Sequence, residues 1–338
     1  MQINNSIRSS ATVRIFTWAV AAVLGGASAS ALAQEKVTYN MAWLPQGSSI
    51  GVIVAQEQGL FKKEGLDVSI VRGYGGNRTA NELDQGQYEF GYVDPVSLIL
   101  NRINGGKIRM VGAMNTYWPA GICFDTKRHS IKTLDDMKGL TMGGGSASPV
   151  QNVVPAWLEL NGKPKDFIHL LRMDPAVVDA SLIEGRIDLA ECWQASNRAV
   201  MQKRAKAAGV ELGWIDYKDH GLDAYGSGFA TREELIQKKP DMVRKFLRAS
   251  YAGFEYSIKH PKEAAAIMLK MFPTVDPVVA LQQIEEMNGL IVDPQAKDKG
   301  LGYMREDRMK STVSFVEKAY DLKGKVKAED IYTNELLK

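Results

Sequence analysis

Glu191 and Trp193 are two positions apart in the segment DLAECW, so in a strand their side chains project from the same face. A carboxylate accepts hydrogen bonds, while an indole offers a flat apolar face and one N–H donor. Projected together toward a cleft, this pair suits a flat ring that carries amino groups. The same spacing also fits an ordinary strand-end pair that binds no ligand.

Trp43 ends the alternating segment VTYNMAW, whose alternate residues share one face of a predicted strand. The PQG segment that follows marks a loop, and Gln46 lies within it. A Trp face stacks on a flat ring or holds a cation. We therefore predict that Trp43 and Gln46 contact a ligand. The alternative for Trp43 is a core residue that caps the sheet.

Five further side chains lie where predicted strands end or where the chain changes direction. Asp94 precedes a proline, which predicts a helix cap that can still offer one oxygen to a cleft. Ser146 and Ser148 follow three glycines that let the backbone approach a ligand closely. Tyr117 in NTYWP and Tyr225 in DAYGSG either line the cleft or pack a hinge. All five are candidate ligand contacts.

The remaining inventory favours neither an enzyme nor a metalloprotein. The four histidines are scattered, and the sequence contains no Cys-x-x-Cys. GGGSAS has no lysine where a phosphate loop requires one. We predict no catalytic residue, no metal and no cofactor. Cys123 and Cys192 could be buried free thiols or a disulfide, since spacing alone does not supply the geometry.

The first 33 residues read as a secretory signal peptide. Arg8 and Arg14 precede an apolar segment from Phe16 to Leu32, and the small-residue pattern predicts cleavage after Ala33. An uncleaved anchor is the alternative. Removing the peptide leaves 40 basic residues against 39 acidic ones, because it carries two arginines and no acidic residue. This balance gives no reason to expect nucleic acid as a partner. We predict a periplasmic protein.

Strand and helix patterns alternate from residue 37, which predicts doubly wound, mostly parallel sheets. The segments ANELDQGQYEFGYVDP and DASLIEGRIDLAECWQ share a helix–glycine–strand frame, which suggests two related lobes. After Tyr225 the pattern predicts helices at about 231–239, 240–259, 261–271, 276–288 and 305–322. The strand ends of the two lobes would face a shared gap.

The segments GVIVAQEQGLFKKEGLDV, GQYEFGYVDP, IKTLDDMKGLTMGGGSAS and EGRIDLAECW resemble the periplasmic solute-binding proteins of ABC importers. The branch is the one that includes taurine, alkanesulfonate, nitrate and thiamine-precursor binders. The resemblance implies a type II two-lobe α/β fold with two hinge crossings and a helical C-terminal part. It also implies one small-molecule ligand and a permease partner in the inner membrane. We place lobe 1 at 36–120 plus 226–338, lobe 2 at 121–225, and expect a monomer.

The candidate contacts combine aromatic side chains with the carboxylates of Asp94 and Glu191. Because carboxylates only accept hydrogen bonds, this set favours a heteroaromatic ligand with N–H donors, of the aminopyrimidine, thiamine-precursor type. Among basic residues, only Arg72 is assigned to a strand end. The alternative is an organic sulfonate or similar small anion, held by helix starts near Asn77 and Ser148 with Arg72 or Arg78. Outside transport, the alternatives are a sensor input domain and a pyrimidine-synthase-like enzyme. The related synthases carry a Cys-rich motif that this chain lacks, so we predict no enzyme activity.

Overall fold

The computed structural model describes residues 34–145, 148–322 and 324–337. The predicted signal peptide and Ser146 lie outside the described residues. Within them, strands and helices alternate until residue 232, after which helices dominate. No described helix combines the length and apolar character needed to cross a bilayer.

The described residues form ten strands and thirteen α-helices. The strands are β1 (Glu35–Asn40), β2 (Leu66–Val71), β3 (Phe90–Val93), β4 (Ile108–Ala113), β5 (Ala120–Asp125), β6 (Thr141–Gly145), β7 (His169–Met173), β8 (Leu189–Trp193), β9 (Leu212–Asp216) and β10 (Gly228–Arg232). The helices are α1 (Ile50–Glu57), α2 (Leu60–Lys63), α3 (Gly76–Asp84), α4 (Pro95–Ile103), α5 (Val150–Leu160), α6 (Pro175–Ile183), α7 (Asn197–Ala207), α8 (Glu233–Lys238), α9 (Pro240–Lys259), α10 (Pro261–Met271), α11 (Pro277–Leu290), α12 (Glu306–Tyr320) and α13 (Ala328–Ile331).

The strands build two five-stranded sheets with the same topology. The first sheet has the order β2-β1-β3-β10-β4 and the second has the order β7-β6-β8-β5-β9. In each sheet the fourth strand is antiparallel to its neighbours, and it is the first strand after the chain has crossed from the other sheet. We call each sheet with its helices a lobe. The predicted mostly parallel α/β fold is therefore confirmed.

The repeated frame in the sequence corresponds to a repeated contact. The Thr38 N–H at β1 donates to Glu89 Oε2 at 2.8 Å. The Thr141 N–H, at the start of β6, donates to Asp188 Oδ2 at 2.9 Å. Each carboxylate precedes the third strand of its sheet order and fixes that strand against the second one. The two lobes thus repeat one structural unit.

The first strand ends earlier than the alternation predicts. Asn40 is its last residue, and its side-chain Oδ1 accepts from the Ala42 N–H at 2.8 Å. Ala42 has φ 59°, in the left-handed region that a non-glycine residue rarely adopts. This turn breaks the period of two, so Trp43 lies in a loop and its side chain is 46% exposed. Trp43 does not lie on the buried strand face.

Two chain crossings join the lobes, at about residues 114–119 and 217–227, and α12 fastens both of them. The Arg308 guanidinium donates to the carbonyl oxygen of Thr116 at 2.8 Å and to Asp223 Oδ1 at 2.7 Å. It also pairs with the buried Asp293 carboxylate at 3.2 Å. Helix α12 then packs against α4 of the first lobe and α5 of the second. Helix α12 is therefore a non-covalent bridge between the lobes.

Candidate functional site

A cavity of about 320 Å³ lies between the lobes, at the C-terminal ends of the parallel strands. In open α/β sheets this edge is where ligands bind. Both lobes and the bridging helix line the cavity. The lining residues are Gly76, Asn77, Asp94, Val96, Ser97, Leu100, Ser148, Pro149, Gln151, Asn152, Arg172 and Tyr320.

On the second lobe, Glu191 does not line the cavity itself but is linked to it by Ser148, which does. Glu191 is the third residue of β8 and only 6% exposed. Its Oε1 accepts hydrogen bonds from the Ser148 hydroxyl and from Trp193 Nε1, the latter at 2.5 Å. The Gly145 N–H approaches Oε2 at 3.4 Å. The structure thus brings together Glu191, Trp193 and Ser148, which the sequence predicted as ligand contacts.

Burial raises the pKa of Glu191 above its usual value, while hydrogen bonds from Ser148, Trp193 and Gly145 lower it in part. All three partners are neutral donors, and the part of the chain that the structure describes places no cation on this carboxylate. Oε2 keeps acceptor capacity, because the one donor that the described residues direct at it, the Gly145 N–H, is long. A ligand N–H group directed at this oxygen would supply the hydrogen bond that a buried carboxylate needs.

Trp193 is held on both sides. Its ring lies 5.9 Å from that of Trp118, with the planes inclined at 43°. Its backbone N–H donates to Asn197 Oδ1 at 2.7 Å. Trp118 lies in the first crossing and is buried. The indole of Trp193 is therefore fixed by the hinge and by its own carboxylate partner, Glu191.

On the first lobe, Asp94 caps α4. Its two carboxylate oxygens accept from the Ser97 N–H at 3.0 Å and from the Ser97 hydroxyl at 2.6 Å. A Cβ at Gly76 would lie 2.2 Å from the Asp94 carboxylate, so a glycine is needed where α3 begins against this cap. Asp94 remains half-buried and lines the cavity, which leaves room for the second role that the sequence suggested.

Tyr320 links the two walls of the cavity. Burial raises its pKa, a hydrogen bond with the Asn152 side chain lowers it, and the Asp94 carboxylate raises it further. The phenol thus lies near one polar group from each lobe. Tyr320 has no strand-end signal in the sequence, because it lies in α12, far along the chain from every strand end.

Among the predicted contacts, Asp94 and Ser148 line the cavity, and the lining does not include Trp43, Gln46, Tyr117, Glu191, Trp193 or Tyr225. Gln46 Oε1 accepts from the Ser196 hydroxyl at 2.9 Å, and its amide nitrogen donates to Ser48 at 3.2 Å. Tyr117 lies in the first crossing, with the Lys218 ammonium 5.1 Å from its ring centre. Gln46 therefore joins the lobes directly, and Tyr117 packs at the hinge.

Tyr225 is completely buried. Its backbone N–H donates to Thr312 Oγ1 at 2.9 Å, and its hydroxyl accepts from the Arg305 N–H at 2.7 Å. The side chain points toward α12 and exposes no surface that a ligand could contact, which does not support the predicted ligand contact. The reason is the bridging helix, which occupies the space behind the second crossing.

Arg172 is a cation at the cavity that the sequence did not single out. It is the fourth residue of β7, it is exposed, and it lines the cavity. The expectation that only Arg72 lies at a strand end was wrong. Arg72 and Arg78 instead stack on the exposed ring of Tyr74, at 4.7 and 4.9 Å from its centre. The usable strand-end signal for Arg172 was its place in HLLRM, directly before an Asp-Pro helix start.

A second cavity of about 380 Å³ lies on the first lobe. Its lining comes entirely from α9 and the segment after α11, including Glu255, Lys259 and Asp293. Neither a strand end nor a residue of the second lobe reaches it. The cavity between the lobes is therefore the better candidate for a ligand whose binding is coupled to lobe movement.

Both cysteines are buried free thiols, so the structure favours that alternative over a disulfide. Burial raises the pKa of Cys123 well above its usual range, and the neighbouring Cys192 raises it further. The Cys123 thiol donates to the Ala190 carbonyl oxygen at 3.4 Å. The pair lies on the face of the second sheet where Val178, Leu182 and Met201 also pack.

Two matching α/β lobes, two crossings and an interlobe cavity define the periplasmic binding protein fold. The structure is similar to the aliphatic sulphonate binding protein SsuA from Escherichia coli, with a TM-score of 0.68. The two chains are 17% identical, and the match covers 90% of this chain and 99% of that one. The predicted fold and resemblance are confirmed.

The family model described as NMT1/THI5 like matches residues 46–264, more than half of the chain. The chain belongs to the NMT1/THI5-like family. Among similar sequences, the riboflavin-binding protein RibY of Chloroflexus aurantiacus is 24% identical over 311 residues, covering 90% of this chain and 86% of that protein.

Of two further relatives, one is named as a binding protein and the other as an enzyme. The formylaminopyrimidine-binding protein of Halalkalibacterium halodurans is 23% identical over 275 residues, covering 76% of this chain and 80% of that protein. A 4-amino-5-hydroxymethyl-2-methylpyrimidine phosphate synthase of Candida albicans is 22% identical over 254 residues, covering 72% and 74%. The similar sequences thus include binders and an enzyme.

Proposed function

We propose that this protein is the extracytoplasmic solute-binding component of an ABC importer, and that it captures a small, flat heteroaromatic ring bearing amino groups. The observation that carries the proposal is the buried Glu191 carboxylate, which is held by Ser148 and Trp193 beside a cavity between two lobes. A carboxylate of this kind accepts N–H groups and rejects anions.

The proposed ligand contacts come from both lobes. Glu191 and Trp193 on the second lobe receive the ring and its amino group, with Ser148 beside them. Asp94 on the first lobe faces the same cavity. Trp43, which does not line the cavity, would contact the ligand from its exposed loop on the first lobe. The relatives that bind formylaminopyrimidine and riboflavin by name support a flat nitrogen heterocycle.

Ligand capture proceeds by closure about the two crossings. The ligand can drive closure only if it binds the closed arrangement more tightly than the open one. A site whose donors and acceptors come from both lobes has this property. The closed form is then the one presented to a permease. Export to the periplasm, with cleavage after Ala33, belongs to the same proposal.

A sulfonate is the second candidate, and Arg172 is the observation that favours it. The guanidinium lies at the cavity, where α3 and α5 begin. Free N–H groups at helix starts attract anions. Asp94 opposes this reading, because its carboxylate lines the same cavity. A pyrimidine-synthase activity finds less support, since the two cysteines are buried away from the cavity.

Titration calorimetry tests the proposal. We expect formylaminopyrimidine to bind with one-to-one stoichiometry, with an aliphatic sulfonate and riboflavin as comparison ligands. Glu191→Gln should weaken pyrimidine binding about tenfold or more, because hydrogen bonds to charged groups contribute about 1.5–3 kcal/mol. Tight sulfonate binding that Arg172→Ala abolishes, with no pyrimidine binding, would replace the heterocycle by the anion.

A further inference from the structure

The turn between β8 and α7 is held by side chains from the opposite lobe. The Ala195 N–H donates to Glu286 Oε2 at 2.6 Å, and Gln283 Nε2 donates to the Ser196 carbonyl oxygen at 2.7 Å. The Ser196 hydroxyl donates to Gln46 Oε1 at 2.9 Å. Glu286 and Gln283 lie on α11, which packs against α9 and α10 of the first lobe.

The backbone of this turn has an unusual conformation. Ala195 has φ 57°, in the left-handed region, and its side chain is completely buried. Non-glycine residues adopt this region when the surrounding structure over-determines it, and such positions cluster at functional sites. Here the determining contacts come from two separate segments of the first lobe, so the turn's shape depends on lobe contact.

The turn immediately follows the residues of the candidate site. Glu191 and Trp193 end β8, and the next residue, Gln194, donates its N–H to the Pro119 carbonyl oxygen in the first crossing at 2.9 Å. The end of the strand is therefore fixed between the hinge on one side and α11 on the other. A change in lobe contact reaches Trp193 through two peptide units.

We infer that Gln46, Gln283 and Glu286 form an interlobe latch on the 194–196 turn, which holds the lobes closed and positions Glu191 and Trp193 for the ligand. The inference rests on the proposed function, since it assigns a second role to closure. These are positioning residues, because they act through the turn. Gln46 accordingly serves lobe contact in place of the ligand contact predicted from its loop.

The interface continues outward along α7. Gln282 Nε2 donates to Gln202 Oε1 at 2.7 Å, and Lys203 forms an ion pair with Asp276. These contacts are exposed and side chain to side chain, so they are worth little individually. The latch differs because two of its three bonds bind backbone groups of the turn, and one of these supports the strained Ala195.

The latch is tested on the ligand-free protein by small-angle X-ray scattering. The Gln46→Ala/Glu286→Ala double variant should open, with a larger radius of gyration than the wild type. The matched control is Glu285→Ala, an exposed glutamate one position away on α11, which should scatter as the wild type does. The single variant Glu286→Gln should give the same scattering profile as the wild type, because the new amide oxygen still accepts a hydrogen bond from the Ala195 N–H.

Affinity provides a second readout. The double variant should bind formylaminopyrimidine several-fold more weakly at an unchanged melting temperature, because closure must then be driven by the ligand alone. If the double variant does not fold, Ser196→Ala removes only the Gln46 contact and should give a smaller change in the same direction. Wild-type scattering and affinity in a folded variant would overturn the latch while leaving the proposed function standing. An opened variant of a protein that binds no pyrimidine would leave the latch and overturn the ligand.

Discussion

The Trp193 indole donates its Nε1–H to Glu191 Oε1 at 2.5 Å, and the same oxygen accepts from Ser148. One carboxylate oxygen is thereby committed to the protein, and within the described ranges the other receives a single long backbone contact. The residue pair therefore offers a ligand an oriented acceptor beside a fixed aromatic ring. This asymmetry gives the cleft its proposed preference for N–H donors.

The buried Glu191 should make stability depend on pH. Burial raises the pKa of Glu191 in the folded state above its pKa in the unfolded chain, which is about 4.3. The protonated form therefore stabilises the fold fully below about pH 4.3. This stabilisation is lost as pH rises through the pKa of the folded state. Relative to Glu191→Gln, the wild type should therefore become less stable as pH increases above 4. Urea unfolding of both proteins across this range measures the difference. A difference that instead favours the wild type as pH rises would contradict the assignment.

The exposed Trp43 should matter for binding and not for folding. Its side chain is 46% exposed, so Trp43→Ala should leave the melting temperature within about a degree or two of the wild type, as surface changes usually do. Stacking of an aromatic pair is worth about 0.5–1.5 kcal/mol, so ligand affinity should fall by up to about tenfold. Leu44→Ala, 45% exposed and adjacent, is the control. Equal calorimetric affinities for all three proteins would remove Trp43 from the site.

Arg308 should be a major contributor to stability. Its side chain is 11% exposed and that of its partner Asp293 only 5%. Breaking a buried ion pair by removing one partner costs about 3–5 kcal/mol, so Arg308→Ala should lower the free energy of unfolding by about 3 kcal/mol. Arg308→Lys should recover only part, because a point charge cannot bridge both crossings and Asp293. Lys310→Ala, on the exposed side of α12, is the control. Chemical denaturation that shows no loss for Arg308→Ala would contradict the bridging role of α12.

The two thiols should be protected in the folded protein. Both cysteines are buried, and burial raises the pKa of Cys123 well above its usual range, so little reactive thiolate forms. Iodoacetamide should add nothing to the native protein and two groups to the unfolded one, as read by intact mass. A mass two units lower with no labelling after unfolding would show a disulfide instead.

Local patterns predicted most of the fold. The helix–glycine–strand frame recurs because Glu89 and Asp188 accept equivalent backbone hydrogen bonds in the two sheets. Periodicity located the later helices to within a few residues. Strand β10 escaped the analysis because it is five residues long and its partners, β3 and β4, lie more than a hundred residues earlier. No local signal reports such a pairing.

The candidate site was harder to predict. The spacing of Glu191 and Trp193 placed them on one face correctly, since a regular strand joins them. Trp43 was misplaced on its strand because the Asn40 side chain ends the strand early. Tyr225, a predicted contact, is buried, and Tyr320, for which no role was predicted, lines the cavity, because both positions depend on where α12 packs. That packing is a tertiary fact absent from any short segment.

The most direct test of the account is hydrogen exchange with and without the ligand that calorimetry identifies. We predict slowed exchange in residues 148–152 and 189–197 of the second lobe and in 94–97 of the first, because the ligand joins these segments across the cleft. Protection confined to 255–259 and 292–301 would place the ligand in the other cavity and contradict the interlobe site.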